Sequence, residues 1–201
     1  MKLWQKGAAA HEKVDAFTVG KDREYDLVLA LYDCEASMAH ASMLGKIGLI
    51  TANEAEQLCA VLSRLKTAAA AGDFTIEDEF EDMHSKIEHV LTAELGDLGK
   101  KIHTARSRND QVLVAMHLYL KQALKEVKAD VVSLFDLLLE LAEKHQKDLL
   151  PGYTHLQVAM PSSIGMWLSA YAESLIDDLY FWEGAYKMAD QNPLGSAAGY
   201  G

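Results

Sequence analysis

Apolar residues recur along this chain at three- and four-residue steps, and nowhere do they alternate in the two-residue rhythm of a half-buried strand. From Asp26 to about Ile47, the positions Leu27, Leu31, Cys34, Met38 and Ala41 lie on one helix face, which Gly45 and Gly48 bring to an end. Thr51-Ala52-Asn53-Glu54 has the form of a capping box and opens a second helix through Leu58, Leu62 and Leu65, fading between Ala68 and Gly72. After an acidic loop, Met83, Ile87, Val90, Leu91 and Glu94 predict a third helix that stops around Gly96 and Gly99. The first 25 residues keep no period and read as an extended arm.

From Asn109 to about Leu150 there is neither glycine nor proline. Over that stretch Leu113, His117, Leu120, Leu124, Val127, Val131, Leu134, Leu138, Leu141 and His145 follow a four-three spacing, the seam of one continuous helix. Such a helix would run roughly 60 Å at 1.5 Å per residue, more than a chain of this size can cover alone. Val112, Met116, Val132, Phe135 and Leu139 widen the apolar face beyond a two-stranded zipper, so the pattern predicts a bundle shared between subunits. Pro151-Gly152 breaks the helix, Tyr153 to Met160 form a connection, and Pro161-Ser162-Ser163 starts a last helix. Its aromatic-rich face, Trp167, Leu168, Tyr171, Leu175, Leu179, Trp182 and Tyr186, is read as core packed against the long helix. The expectation is an all-α chain: a small N-terminal helical domain with its arm over 1–108, then the first part of a central helical-bundle domain over 109–201.

Composition narrows the partners. The 201 residues are half apolar with three prolines and carry a formal charge of −11, which argues for a globular protein and against general nucleic-acid binding. Small molecules or other protein chains are the expected partners. No signal-peptide core and no bilayer-spanning apolar run is visible, so no membrane partner is expected and a cytoplasmic location follows by default. Cys34 and Cys59 have no metal-ligand spacing and read as free thiols.

Chemistry concentrates in His103-Thr104-Ala105-Arg106-Ser107-Arg108-Asn109-Asp110-Gln111, immediately before the long helix. The first turn of a helix presents unpaired N–H groups and the positive end of its dipole, and two arginines beside Ser and Asn add donors that suit a carboxylate or phosphate. Ser107-x-x-Asp110 also fits a capping box, which by itself would not call for the arginines.

This segment, together with Asp33-Cys34-Glu35-Ala36-Ser37-Met38-Ala39-His40-Ala41-Ser42-Met43-Leu44 and Pro151-Gly152-Tyr153-Thr154-His155-Leu156-Gln157, closely resembles argininosuccinate lyase, a family of the fumarase/aspartase superfamily that includes the lens delta-crystallins. The resemblance runs from about Leu3 to the last residue. It implies a mostly helical subunit whose long central helices are pooled in a homotetramer, and reversible elimination of fumarate from argininosuccinate to release arginine, without cofactor or metal. It further implies that Ser107, Arg108 and Asn109 contact the substrate carboxylates, that Thr154 and Gln157 bind substrate, and that His155 acts in proton transfer. His84, in Glu81-Asp82-Met83-His84, matches the family's Glu-Asp-x-His and is expected to line the site. His40, His89, His117 and His145 are read as structural. In place of the family's Trp-Gly-Gly-Arg-Phe stands Trp4-Gln5-Lys6-Gly7-Ala8, so contacts made by the arm are not carried over.

Family members are more than twice this length, and their Gly-Ser-Ser-x-Met-Pro loop with its catalytic serine is absent here. The resemblance therefore implies an N-terminal fragment that is inactive by itself, since each family site draws its signatures from three subunits. Two other readings compete: a non-catalytic helical oligomerisation or crystallin-like module, and a sister lyase such as adenylosuccinate lyase.

Overall fold

The computed structural model describes residues 17–193; the variant arm motif at Trp4 to Ala8 and the Gly/Ala/Ser-rich stretch after Pro193 lie outside the described residues. The architecture is helical, as expected, with one small antiparallel hairpin. The described chain divides into two compact units, residues 17–119 with 192–193, and Leu120–Gln191. The division falls inside the long helix.

In the first unit, α1 (Asp22–Lys46) and α2 (Ala52–Ala71) form a helical hairpin, followed by α3 (Met83–Leu95) and one turn of α4 (Asp97–Lys100). This first long helix starts at Asp22, four residues before the expected point, and residues 17–19, within the stretch read as an extended arm, are already helical. The capping box is present at the start of α2: the Thr51 side chain accepts from the Glu54 amide and the Glu54 carboxylate accepts from the Thr51 amide. Leu44, Leu58, Leu62, Met83, Leu91 and Ile102 make the core.

The face of α1 differs from the one its apolar spacing suggested. Cys34 and Ala41 are buried, but Leu27 is exposed and the burial passes instead through Leu29, Ala30, Asp33, Ser37, His40 and Leu44. Apolar residues surround this stretch on every side, so periodicity could not choose among faces. What decides is the set of partners that Asp33, Ser37 and His40 find across the core.

The long helix, α5 (Arg108–Lys144), has 37 residues, about 55 Å at 1.5 Å per residue. It ends well before Leu150, because Pro151 removes an N–H, crowds the carbonyl four residues back and disfavours helical backbone just before it. In the second unit, the segment read as a plain connection is a hairpin, β1 (Leu149–Thr154) with β2 (Gln157–Ser163), its register shifting at Gly152/Tyr153. Then α6 (Ile164–Ala189) starts on Ser163, whose hydroxyl caps the Met166 amide. α6 packs antiparallel on α5: the Trp182 indole donates to the Leu124 carbonyl at 2.6 Å, Lys121 pairs with Asp190, and Gly165 lies against Ala142 and Gln146. A Cβ on Gly165 would fall 2.4 Å from the Ala142 carbonyl oxygen, so only glycine admits this approach. Among the described residues no helix is long and apolar enough to cross a membrane.

Candidate active site

The sequence brings three segments of the first unit to one place: the middle of α1, the start of α3 and the start of α5. The start of α3 is fixed from several directions. Asp82 caps the Ser85 amide at 2.7 Å, and Asp26 of α1 accepts from the Met83 amide at 3.0 Å. Arg23 ties down the preceding loop, its Nε donating to the Phe80 carbonyl at 2.7 Å and its Nη2 to the Asp78 carbonyl at 2.8 Å.

At the start of α5 the capping box forms as well. The Ser107 amide and hydroxyl both donate to Asp110 Oδ2, at 2.7 and 3.1 Å, and the Ser107 hydroxyl accepts from the Asp110 amide at 3.3 Å. The cap and the arginines therefore do different work. Arg108 reaches back to α3, with Nη1 3.3 Å from Asp82 Oδ1 and Nη2 3.3 Å from the Ser85 hydroxyl. Arg106 reaches α1, its Nη2 donating to the Ser37 hydroxyl at 3.0 Å. Asn109 is exposed beside them. Ala105, just before Arg106, stands at φ 58°, a left-handed conformation that L residues rarely take. Arg106 thus engages α1 and Arg108 engages α3, and both charges act on Asp33.

His84 is buried on α3, with Nδ1 3.1 Å from Asp33 Oδ1. The contact is within ion-pair range but off the line of a hydrogen bond, so neither ring nitrogen and neither carboxylate oxygen has an aligned partner. Burial pushes the Asp33 carboxyl up to about 6, against the pull of Arg106 and Arg108. Burial likewise raises Asp26 to about 6, opposed by its bond to the Met83 amide and reinforced by nearby Asp82, Asp22 and Asp33. Arg106 is shifted downward by burial, countered by Asp33, Glu88 and Asp110. The cluster is a set of buried opposite charges with unfilled hydrogen-bonding capacity, suited to a ligand that carries both carboxylate and N–H groups.

From the sequence Asp26 and Asp33 carry no assigned role, although Asp33 opens one of the segments on which the resemblance rests. Their signal was an acidic spacing of seven residues along one helix, with Asp33 inside an apolar stretch. His40 behaves as a structural residue, its Nε2 2.9 Å from the Thr104 carbonyl, and His89 packs on Phe80.

The remaining predicted residues belong to the second unit. Thr154 and Gln157 pair across the end of the hairpin, and His155 and Leu156 form its two-residue turn, both exposed and at φ 48° and 63°. His84, Arg108, Ser107 and Asn109 are grouped in the first unit; Thr154, His155 and Gln157 are grouped on this turn. Among the described residues no group of three or more His, Cys, Asp or Glu side chains has an arrangement that could hold a metal ion.

A family model described as lyase matches residues 8–201. The chain belongs to this lyase family. Curated relatives in it include an argininosuccinate lyase of Phocaeicola vulgatus, 55% identical over 200 residues that cover 100% of this chain and 45% of the relative. Another, from Thermotoga neapolitana, is 44% identical over 200 residues, 100% of this chain and 50% of the relative. This lyase chain thus spans about half the length of the curated relatives it matches. Among solved structures, an EDDS lyase variant with bound fumarate superposes with a TM-score of 0.74 at 25% identity, over 97% of this chain and 38% of that one. A fumarate lyase:delta crystallin from Brucella melitensis, bound to cobalt, has a TM-score of 0.68 at 18% identity, over 86% of this chain and 41% of that one, and shows the shared fold.

Proposed function

We propose that this chain forms part of an argininosuccinate lyase, which eliminates fumarate reversibly from argininosuccinate to release arginine. The observation that carries the reading is the buried cluster at the start of α5, in a chain more than half identical along its whole length to an argininosuccinate lyase. The reaction breaks a carbon–nitrogen bond after a proton leaves the carbon beside a carboxylate. It needs a base, donors for the charge that builds on that carboxylate, and an acid for the departing guanidine nitrogen.

In this reading Arg108, Asn109 and Ser107 hold the substrate carboxylates at the positive end of α5. Ser107 contributes what its cap leaves free, since its hydroxyl hydrogen is already given to Asp110. His84 lines the same pocket, and Thr154 and Gln157 bind substrate from the hairpin. His155, at an exposed turn, moves the proton. The two groups meet between copies in a homotetramer built on the long helices, in the cytoplasm. Small-molecule partners are argininosuccinate, fumarate and arginine.

Fumarate release followed by ultraviolet absorbance, with argininosuccinate and adenylosuccinate offered separately to the protein containing this sequence, tests the proposal. Release from argininosuccinate is expected, falling at least about a hundredfold in His155→Asn, the scale of one general acid–base group. Preference for adenylosuccinate would sink the reading.

A further inference from the structure

Asp33 is out of place on any structural account of α1. Its carboxylate is fully buried on a helix face it shares with Ala30, Cys34 and Leu44, where an apolar side chain would cost nothing to desolvate. Neither oxygen has an aligned hydrogen bond, although native structures pair nearly all their buried polar atoms. What it does have is His84, with Nδ1 at 3.1 Å, and the charges of Arg106 and Arg108. His84 is itself 2% exposed, and its Nε2 has no hydrogen-bond partner.

A buried imidazole with one nitrogen against a carboxylate and the other free is a familiar chemical arrangement. A neutral ring carries one N–H, and the carboxylate favours that hydrogen on the nitrogen facing it, leaving the far nitrogen as an acceptor. The same pairing orients the imidazole in catalytic triads, and carboxylates fix metal-ligating histidines in this way.

We propose that Asp33 is a positioning residue: it fixes His84 as the Nδ1–H tautomer, so that Nε2 faces the site as an unprotonated acceptor for an N–H group of the ligand. Its role in turnover rests on the lyase reading, in which the ligand carries guanidine and ammonium N–H groups. Arg106 and Arg108 favour the ionised carboxylate that this requires, while Asp26 on the same helix opposes it; across the core, Arg106 is in turn balanced by Glu88 and Asp110. Ser37, one turn along α1 from Asp33, takes Arg106 Nη2 and keeps that guanidinium near the pair.

The test reads the tautomer directly, by long-range nitrogen–proton correlation NMR on the whole chain with nitrogen-labelled histidine, His84 being assigned by its disappearance in His84→Gln. The spectrum is recorded at a pH where the ring is neutral. A dominant Nδ1–H form in the wild-type chain supports the proposal, and a dominant Nε2–H form overturns it without recourse to any further variant. In Asp33→Ala the ratio of Nδ1–H to Nε2–H is expected to fall at least about tenfold, a difference of roughly 1.4 kcal/mol; an unchanged ratio in a folded Asp33→Ala chain also overturns it. Fumarate release plays no part in this readout, so failure of the lyase reading and failure of this assignment give different results.

Discussion

A buried carboxyl whose ionisation is opposed changes how stability depends on pH. Unfolded, Asp33 titrates near its ordinary value of 3.8; folded, burial raises it to about 6 despite Arg106 and Arg108. Between those values the native state keeps a proton that the unfolded chain has released. Stability from this group is therefore full below about pH 4 and is lost as pH rises through 6, the reverse of a salt-bridged aspartate. A shift of this size corresponds to roughly 2–3 kcal/mol. Asp33→Asn, which cannot ionise, should gain on the wild type by that order between pH 4 and pH 7 when urea midpoints are compared. A difference that does not change with pH would mean that Asp33 is not held neutral in this window. The fate of Asp33 also marks what a sequence can disclose at this scale. His84 and Arg108 carry their chemistry in motifs and could be named in advance. Asp33 required the three-dimensional fact that α1 turns its Asp33–Ser37–His40 side inward, a choice made by partners 50 to 70 residues away.

Elements were legible where one face is dry and one is wet. The helices announced themselves by period, and the start of α2 by its capping box at Thr51, because both signals are local. The hairpin did not, since its strands are mostly exposed and carry no apolar alternation in sequence; Pro151, Gly152 and Pro161 disguise it further as loop. Its two-residue turn has positive φ at both central positions, the geometry usually filled by Asn-Gly. Here it holds His155 and Leu156. Left-handed backbone costs an L residue about 1–2 kcal/mol, and glycine recovers this less about 0.5–1 kcal/mol of added chain entropy. Leu156 is 94% exposed and packs on nothing that its removal would lose. Leu156→Gly should therefore steady the hairpin by roughly 0.5–1 kcal/mol, read as about two- to fivefold slower hydrogen exchange of the Tyr153 and Val158 amides. Faster exchange would show that the leucine side chain, and not the backbone, sets the turn.

For the molecule as a whole, the long helix poses a question of coverage. In the second unit α6 takes one side of α5 through Trp182, Asp190 and Gly165, yet seam positions Val127 and Leu134 remain 52% and 47% exposed, with Leu137 and Leu139 beside them. On α6, Tyr180, Phe181 and Met188 are 70% or more exposed. A helix pair that leaves this much apolar surface in water is expected to associate, and a heptad seam directs the association to a second copy of the same helix. The shared bundle read from the spacing alone makes the same demand, and it underlies the homotetramer proposed above. Val127 and Leu134 are seven residues apart and so lie on one stripe, which makes the double substitution Val127→Glu and Leu134→Glu a selective test. In an isolated chain these are surface positions, where a substitution typically changes stability within about 0.5 kcal/mol. In an assembly each would place a carboxylate in an apolar interface opposite its own symmetry mate, at a cost of several kcal/mol. Light scattering should then find the wild-type chain well above its monomer mass of 22.2 kDa, and the double variant near that mass with its helical circular dichroism intact. A double variant that keeps the wild-type mass would place the contact between copies elsewhere than on this stripe, and a wild-type chain that scatters as a monomer at high concentration would overturn the shared bundle.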